Sequence, residues 1–125
     1  SGRLLYYYAP RIEPVMTAWE EMKDQVTYMT VHSMTRKWVR TNTYGGKLAE
    51  NATQAASRDI LANGMVEVEA AGYPIVLSVH DEIISEVPAG SGSVEEFESL
   101  MCRVPAWANG LPLKAKGFRA RRYKK

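Results

Sequence analysis

Cysteine and long apolar runs are scarce in this sequence, and each shortage excludes a class of protein. The one cysteine, Cys102, rules out a disulfide within the chain and leaves a cysteine-based zinc site short of ligands. No apolar run approaches the roughly 20 residues of a membrane-spanning helix. The start, Ser1-Gly2-Arg3, has no signal-peptide pattern and lacks an initiator methionine. We therefore expect a soluble intracellular protein with no membrane partner, and a processed, tagged or excised piece.

The composition that remains is that of an ordinary globular chain. Hydrophobic residues make up 46% of the 125 residues and charged residues 24%, which is enough apolar material for a real core. A chain of this length predicts a single domain over residues 1–125.

Basic residues are concentrated in two stretches. Residues 111–125 contain seven basic groups and no acid, with a basic tail at 114–125, while the other 110 residues carry nine basic and fourteen acidic groups. The second stretch, residues 32–47, also lacks acids and interleaves Trp38 and Tyr44 with Arg36, Lys37, Arg40 and Lys47. Both stretches suit contact with phosphate, although terminal basic clusters often serve only solubility.

Apolar periodicity and turn residues predict an α+β fold, with an antiparallel sheet, a long buried helix and a second, shorter helix. Strands are expected at 4–8, within 26–39 and at 111–118, and a short helix at 14–24. The long helix is expected from about 43 to 71, ended by Gly72. A tight hairpin is expected from 75–79 and 83–87, followed by a helix from 94 to about 108 that Ser93 caps.

The long helix has two contrasting sectors. One is a stripe of small or apolar residues, which lets another element approach closely: Leu48, Ala52, Ala55, Ala62, Val66 and Ala70. The opposite sector is polar in the first half of the helix, with Glu50, Gln54 and Ser57, and apolar in the second half, with Leu61, Met65 and Val68. This predicts a helix that is buried at one end and open to a polar cleft at the other.

Two apolar runs are separated only by His80, Asp81 and Glu82. The absence of glycine from so tight a turn predicts a strained backbone, and adjacent carboxylates on a rigid hairpin suit Mg²⁺. The simplest alternative is a solvated surface turn. Three other sites fit poorly: a serine hydrolase without a Gly-x-Ser-x-Gly elbow, zinc held by His32, His80 and Cys102, and an RNA-recognition signature starting at Lys116-Gly117-Phe118.

The order of these motifs resembles the C-terminal palm of family A DNA polymerases. The resemblance rests on Val79-His80-Asp81-Glu82 between apolar strands, after a helix carrying Gln54 and Asp59. It covers nearly the whole chain, and Tyr44-Gly45-Gly46-Lys47-Leu48 and the 4–8 strand are similar to the phage or prophage branch.

The resemblance implies specific roles. Asp81 would hold the catalytic metals of a two-Mg²⁺ site, with Glu82 as a less direct acidic neighbour and His80 near the primer terminus. Gln54 would reach the minor groove of the primer–template. Bacterial relatives carry an asparagine four residues before that glutamine, where this chain has Glu50 followed by Asn51, so the partner of Gln54 is left open.

The sequence thus predicts part of a DNA-directed DNA polymerase in the cytoplasm of a bacterial or phage-infected cell. Its partners would be primer–template DNA, a dNTP, and the fingers and upstream palm of the same polymerase, without which the piece should be inactive. Arg36, Lys37 and Arg40 would contact phosphates. The alternative is a noncatalytic DNA-binding or scaffold domain of the same shape. We also expect the free chain to self-associate through exposed apolar surface that includes Met65 and Val68.

Overall fold

Five antiparallel strands and two helices make up residues 1–123, which the computed structural model describes. The strands are β1 (Tyr8–Met16), β2 (Met22–Val31), β3 (Trp38–Thr43), β4 (Ile75–Val79) and β5 (Glu82–Ser85). The helices are α1 (Gly45–Ala70) and α2 (Val94–Met101), followed by a short 3₁₀ turn at Ala106–Ala108. The predicted α+β class, with an antiparallel sheet, a long helix and a shorter one, is confirmed.

The chain divides into two compact units, with the boundary inside α1. The sheet unit, Gly2–Ala55, contains β1, β2, β3 and the first part of α1. The hairpin unit consists of Ser1 and the residues from Ala56 onward, and it contains the rest of α1, β4, β5 and α2.

The sheet unit is a three-stranded meander in the order β1-β2-β3. The short helix expected at 14–24 is wrong, since these residues form the end of β1, a turn and the start of β2. Pro14 of β1 pairs with Asp24 of β2. Because β1 is an edge strand, it tolerates a residue without an N–H at this position. The turn is closed by the Thr17 amide, which donates to the Glu21 carbonyl at 2.9 Å, and Glu20 adopts a φ of +58° there.

The strand expected at 4–8 is also wrong, because β1 begins only at Tyr8. The aromatic side chain of Tyr7 is instead packed edge-on against Tyr28, with ring centroids 4.9 Å apart. The phenol of Tyr7 accepts a hydrogen bond from Asn51 at 3.0 Å. Side-chain contacts, rather than strand pairing, thus hold this segment.

The end of α1 is set by Gly72, as predicted. Gly72 has a φ of +88°, which is costly for residues with a Cβ. Its amide donates to the Glu69 carbonyl at 3.0 Å, and the Tyr73 amide donates to the Val68 carbonyl at 3.0 Å. These two bonds form a Schellman motif, which brings the side chains of Tyr73 and Val68 into one cluster.

The core of the hairpin unit forms around that helix end. Val68, Tyr73 and Leu100 are buried, and partly buried apolar side chains pack on them from β4, β5, the segment after β5, and α2: Ile75, Ile83, Val87, Phe97 and Met101. The expectation that Val68 belongs to an exposed self-association surface is wrong, because Val68 is 0% exposed. Val66, which belongs to the stripe of small or apolar residues predicted on α1, does not join this core, since it is 68% exposed.

A close approach between the two helices explains Gly64, which is buried in α1. A Cβ built on Gly64 would lie 3.1 Å from the Met101 sulfur of α2, tighter than ordinary contact. Beside it, Asn63 donates to the Arg103 carbonyl at 2.9 Å, and Arg103 forms a 2.8 Å ion pair with Glu67.

The second helix is capped as predicted, since the Ser93 hydroxyl accepts from the Glu96 amide at 2.9 Å. It ends at Met101 rather than near 108, because Pro105 disfavours a helical conformation at Val104 and offers no amide donor. The strand expected at 111–118 is absent from the described residues, and two of its amides instead donate to the side chains of Glu98 in α2 and of Cys102, the C-cap of that helix. The Ala115 amide donates to Cys102 Sγ at 3.1 Å, and the Gly117 amide donates to Glu98 Oε1 at 2.6 Å.

Candidate functional site

The tip of the β4–β5 hairpin carries the predicted acidic residues. Val79 pairs with Glu82, which leaves His80 and Asp81 as a two-residue turn. His80 adopts a φ of +54°, the positive value that such turns require at their first central position in a type II′ geometry. The prediction of a strained turn without glycine is confirmed. A non-glycine residue in this region costs about 1–3 kcal/mol and is frequent at functional sites.

All three side chains of this tip are exposed, so the adjacent carboxylates of Asp81 and Glu82 are accessible to a ligand. Among residues 1–123, no three histidine, cysteine, aspartate or glutamate side chains are grouped to hold a metal ion. The zinc site of His32, His80 and Cys102 is therefore wrong. A hard cation such as Mg²⁺ accepts one or two protein carboxylates and completes its shell with water and phosphate oxygens, so the chemistry of this pair fits it.

The hairpin is anchored at its other end. The Ser85 hydroxyl and the Glu86 amide both donate to the Pro74 carbonyl, at 2.7 and 3.2 Å. Ile75 and Ile83 pack on the core of the hairpin unit. The pairing shifts by one residue between Ile75 and Leu77, which is a β-bulge at Val76. The tip thus projects from a base held by both hydrogen bonds and apolar packing.

The polar sector at the start of α1 contains a short chain of hydrogen bonds. Gln54 Nε2 donates to Glu50 Oε1 at 3.1 Å, and Lys47 Nζ donates to Glu50 Oε2 at 3.0 Å. Because a carboxylate only accepts, Glu50 fixes which end of the Gln54 amide faces it. The same carboxylate raises the pKa of Lys47 by hydrogen bonding and by charge attraction. Glu50 is therefore the partner of Gln54 that the sequence left open, while Asn51 contacts Tyr7.

Two of the predicted phosphate-contacting residues, Arg36 and Lys37, lie in the β2–β3 loop. The loop is closed by the His32 amide, which donates to the Lys37 carbonyl at 2.8 Å, and by the Arg36 amide, which donates to the His32 carbonyl at 2.9 Å. Arg36 adopts a φ of +56°, and both basic side chains are exposed.

Arg40, the third such residue, has a structural role within the sheet. Its Nη1 donates to the Ala9 carbonyl at 3.1 Å and to Thr27 Oγ1 at 3.0 Å. The pairing of β1 with β2 shifts between Tyr8 and Arg11, and the arginine ties this irregular start of β1 to the middle of β2. Nothing in the sequence around Arg40 distinguishes it from the other basic residues of this stretch, so these bonds could not be predicted.

The basic tail is partly tied back to the hairpin unit. Arg119 donates to the carbonyls of Ser91 and Gly92 at 2.6 and 2.8 Å, which holds the loop before α2. Residues 111–118 form no strand, which argues against the RNA-recognition signature at Lys116, because that module stacks bases on a sheet. Lys124 and Lys125 lie outside the described residues.

A hydrogen-bonded cluster around Tyr73 was not expected. Its phenol accepts from the Ser93 amide at 3.0 Å and donates to the Glu96 carboxylate, and this bond to Glu96 raises the pKa of Tyr73. A Cβ on Gly92, whose φ is +66°, would lie 2.6 Å from Cε1 of the Tyr73 ring. The sequence signal was the Gly-Ser pair before α2, which marks a cap but not its tyrosine partner.

None of the described helices is apolar over a length sufficient to cross a bilayer.

Comparison with known proteins identifies a phage relative. A protein of Bacillus phage SP02 named DNA polymerase is 42% identical to this chain over 127 aligned residues. The alignment covers the whole of this chain but 19% of the phage protein, so the chain spans about a fifth of that relative. No protein-family profile and no solved structure matches the chain.

Proposed function

We propose that this chain is the C-terminal palm portion of a family A DNA polymerase of a phage or prophage. The observation that carries the proposal is the hairpin turn at His80 and Asp81, which presents the adjacent exposed carboxylates of Asp81 and Glu82. The chain that bears this turn aligns over its whole length with about a fifth of a phage protein named DNA polymerase. The complete polymerase would add nucleotides from dNTPs to the 3′ end of a DNA primer. Its fingers and upstream palm would lie in the part of the polypeptide that this chain does not include.

In this proposal Asp81 is the main ligand for Mg²⁺, and Glu82 is a weaker neighbour. When bound, the metal would neutralise charge on the reacting phosphoryl group, which is the main requirement of nucleotidyl transfer. The contribution of the chain is rigid placement of the backbone: the positive φ of His80 and the packed base of the hairpin set the position from which the Asp81 side chain projects. Since no third histidine, cysteine, aspartate or glutamate is grouped with this pair among the described residues, the isolated chain should bind Mg²⁺ weakly.

Gln54 is proposed to monitor the minor groove of the primer–template. With Nε2 partly committed to Glu50, the amide has one remaining N–H and its oxygen to offer. An N–H can meet an acceptor that the correct base pairs share in the minor groove, which suits an enzyme that copies any sequence. Glu50 and Lys47 would act by positioning this amide.

The test is primer extension by the complete polypeptide. Asp81→Ala should lower the rate of incorporation roughly 100-fold or more, because the carboxylate that would hold the metal is lost. Primer–template affinity should stay nearly unchanged, because the protein surface that binds DNA is not altered. Glu82→Ala should be milder. Glu86→Ala is the matched control, since Glu86 is an exposed carboxylate just beyond β5 and should have no effect.

Gln54→Ala in the same assay should slow extension, most of all from a mismatched primer end, and unaltered kinetics would assign Gln54 to an ordinary helix surface. Wild-type turnover by the Asp81 variant would refute the catalytic proposal. If the wild-type complete polypeptide binds primer–template without extending it, the second candidate, a noncatalytic DNA-binding domain, takes its place.

A further inference from the structure

Two aromatic rings lie side by side at one end of the three-stranded sheet. Tyr8 opens β1 and Trp38 opens β3, and their ring centroids are 5.6 Å apart with planes inclined by 58°. Both rings are largely solvent-exposed, Tyr8 at 66% and Trp38 at 55%. Large aromatic side chains exposed together are a costly arrangement for a surface that binds nothing.

Strand pairing shows which side chains share this face. Met29 is opposite both Tyr8 and Arg40, and Val31 is opposite Trp38. Directly opposed residues project to the same face of a sheet, and so do residues two apart in one strand. The rings of Tyr8 and Trp38 therefore lie on the same face as the Arg40 guanidinium, which its bonds to the Ala9 carbonyl and Thr27 hold in the sheet.

The loop that adjoins the ring pair adds positive charge. It connects Val31 to Trp38 and presents the exposed side chains of Arg36 and Lys37. No acidic residue occurs anywhere between positions 25 and 49, so no carboxylate from this segment offsets the charge. The His32 ring also orders the loop, since its Nδ1 accepts from the Met34 and Thr35 amides at 3.3 Å.

We propose that the Tyr8–Trp38 pair is a stacking site for an unpaired base of single-stranded DNA, whose flanking phosphates contact Arg36 and Lys37. Exposed aromatic rings beside basic groups are the general means of holding single strands, because every base has a π face and every linkage a negative charge. A duplex hides its base faces, and an acidic protein segment has none. The choice of DNA as the nucleic acid rests on the proposed polymerase function.

The 125-residue chain itself is the object to test, by fluorescence anisotropy with a labelled oligothymidylate of about 15 nucleotides and a duplex of equal length. Trp38→Ala should weaken binding of the single strand roughly 5- to 100-fold and that of the duplex little, since stacking is available only to unpaired bases. Trp38→Phe should restore most of the affinity. Replacing Arg36 or Lys37 by Gln should weaken the binding of both the single strand and the duplex. The slope of log affinity against log salt concentration should fall by about one unit for each lost phosphate contact.

Trp19→Ala is the matched control. Trp19 is 83% exposed in the same unit, but it lies in the β1–β2 turn, at the other end of β2 from Trp38. A direct readout avoids any question of misfolding: with Trp19 and Trp107 replaced by Phe, Trp38 is the only tryptophan left, and a saturating single strand should quench its emission.

Unquenched Trp38 emission, or a Trp38→Ala variant with unchanged single-strand affinity, would overturn the proposal. So would a Trp38 variant that loses only self-association, because the rings would then belong to an interface between copies. Binding is measured without Mg²⁺ or dNTP, so it does not depend on the proposed metal site. Failure here therefore leaves the catalytic proposal standing, and failure of the Asp81 test leaves this one standing.

Discussion

The two units of the chain differ in what they bury. The hairpin unit encloses apolar side chains, with Val68, Tyr73 and Leu100 in contact. In the sheet unit, the buried residues among those described are two threonines, Thr27 and Thr43. One unit is thus organised by an apolar cluster and the other by its backbone ladder and a few polar bonds.

The polar bonds of the sheet unit converge on Thr27. Its hydroxyl donates to Glu13 Oε2 at 2.9 Å and accepts from Arg40 at 3.0 Å, and nearby Asn42 donates to Gln25 at 2.5 Å. Many large apolar side chains of this unit remain on the outside, where Ile12, Met16, Trp19 and Met22 are all more than half exposed.

This contrast matches the roles proposed for the two units. A metal ligand must be held in a fixed position, and the hairpin that bears Asp81 rests on the packed cluster. A surface that binds an extended partner needs accessible rings and charges, and the sheet unit provides them. The difference in burial can be tested by making the same substitution at two positions that differ in their surroundings.

The largest difference between paired variants is expected between Val68→Ala and Val66→Ala. Removing two methyl groups from a fully buried site costs their transfer free energy and leaves a cavity, so the free energy of unfolding should fall by about 2–3 kcal/mol. Val66→Ala is the control, two residues away in the same helix but 68% exposed, and should change stability by less than about 0.5 kcal/mol. Denaturant titration followed by circular dichroism measures both, and equal losses would mean that Val68 is not the centre of the core.

The second effect concerns Gly92 and the Tyr73 ring. Gly92→Ala must accept both a positive φ and a Cβ 2.6 Å from the ring, whereas Gly90→Ala has a φ of +88° but no heavy atom within 4 Å of its Cβ. The Gly90 variant should lose about 1–2 kcal/mol from backbone strain, and the Gly92 variant about 1–3 kcal/mol more, because the bonds of Tyr73 to Glu96 and to the Ser93 amide prevent the ring from moving. Thermal unfolding of the two variants side by side would expose the difference. Indistinguishable midpoints would show that the ring yields after all.

Local signals explain which parts of the fold the sequence predicted. Gly72 as a helix stop, Ser93 as a cap and the glycine-free turn at Asp81 each depend on a few neighbouring residues, and all three are confirmed. The errors come from choices that neighbouring residues do not decide. Val15, Trp19 and Met22 have helical spacing, but the segment finds a partner strand and folds as a hairpin.

The remaining errors have similar causes. Residues 111–118 look like a strand, but two of their amides donate to the side chains of Glu98 in α2 and of Cys102, the C-cap of that helix, instead of to a neighbouring strand. On α1 both sectors are apolar in the second half, so periodicity alone could not show that Val68 rather than Val66 is buried. In the candidate site, the position of Asp81 in a hairpin turn was predictable from the sequence, whereas the link from Gln54 through Glu50 to Lys47 depends on side-chain geometry.

The smallest and most discriminating effect compares the two buried threonines of the sheet unit. Thr27→Val removes a hydroxyl that bonds Glu13 and Arg40, and it should cost about 1–2 kcal/mol, since both partners are exposed enough to regain water. Thr43 Oγ1 is buried with no hydrogen-bond partner among residues 1–123, so Thr43→Val should be neutral or stabilise by up to about 1 kcal/mol. The substitution is the same and both sites are strand residues, so strand propensity cancels in the difference between the two unfolding free energies. If Thr27→Val proves as harmless as Thr43→Val, the hydrogen bonds of Thr27 contribute nothing measurable to the stability of the sheet unit.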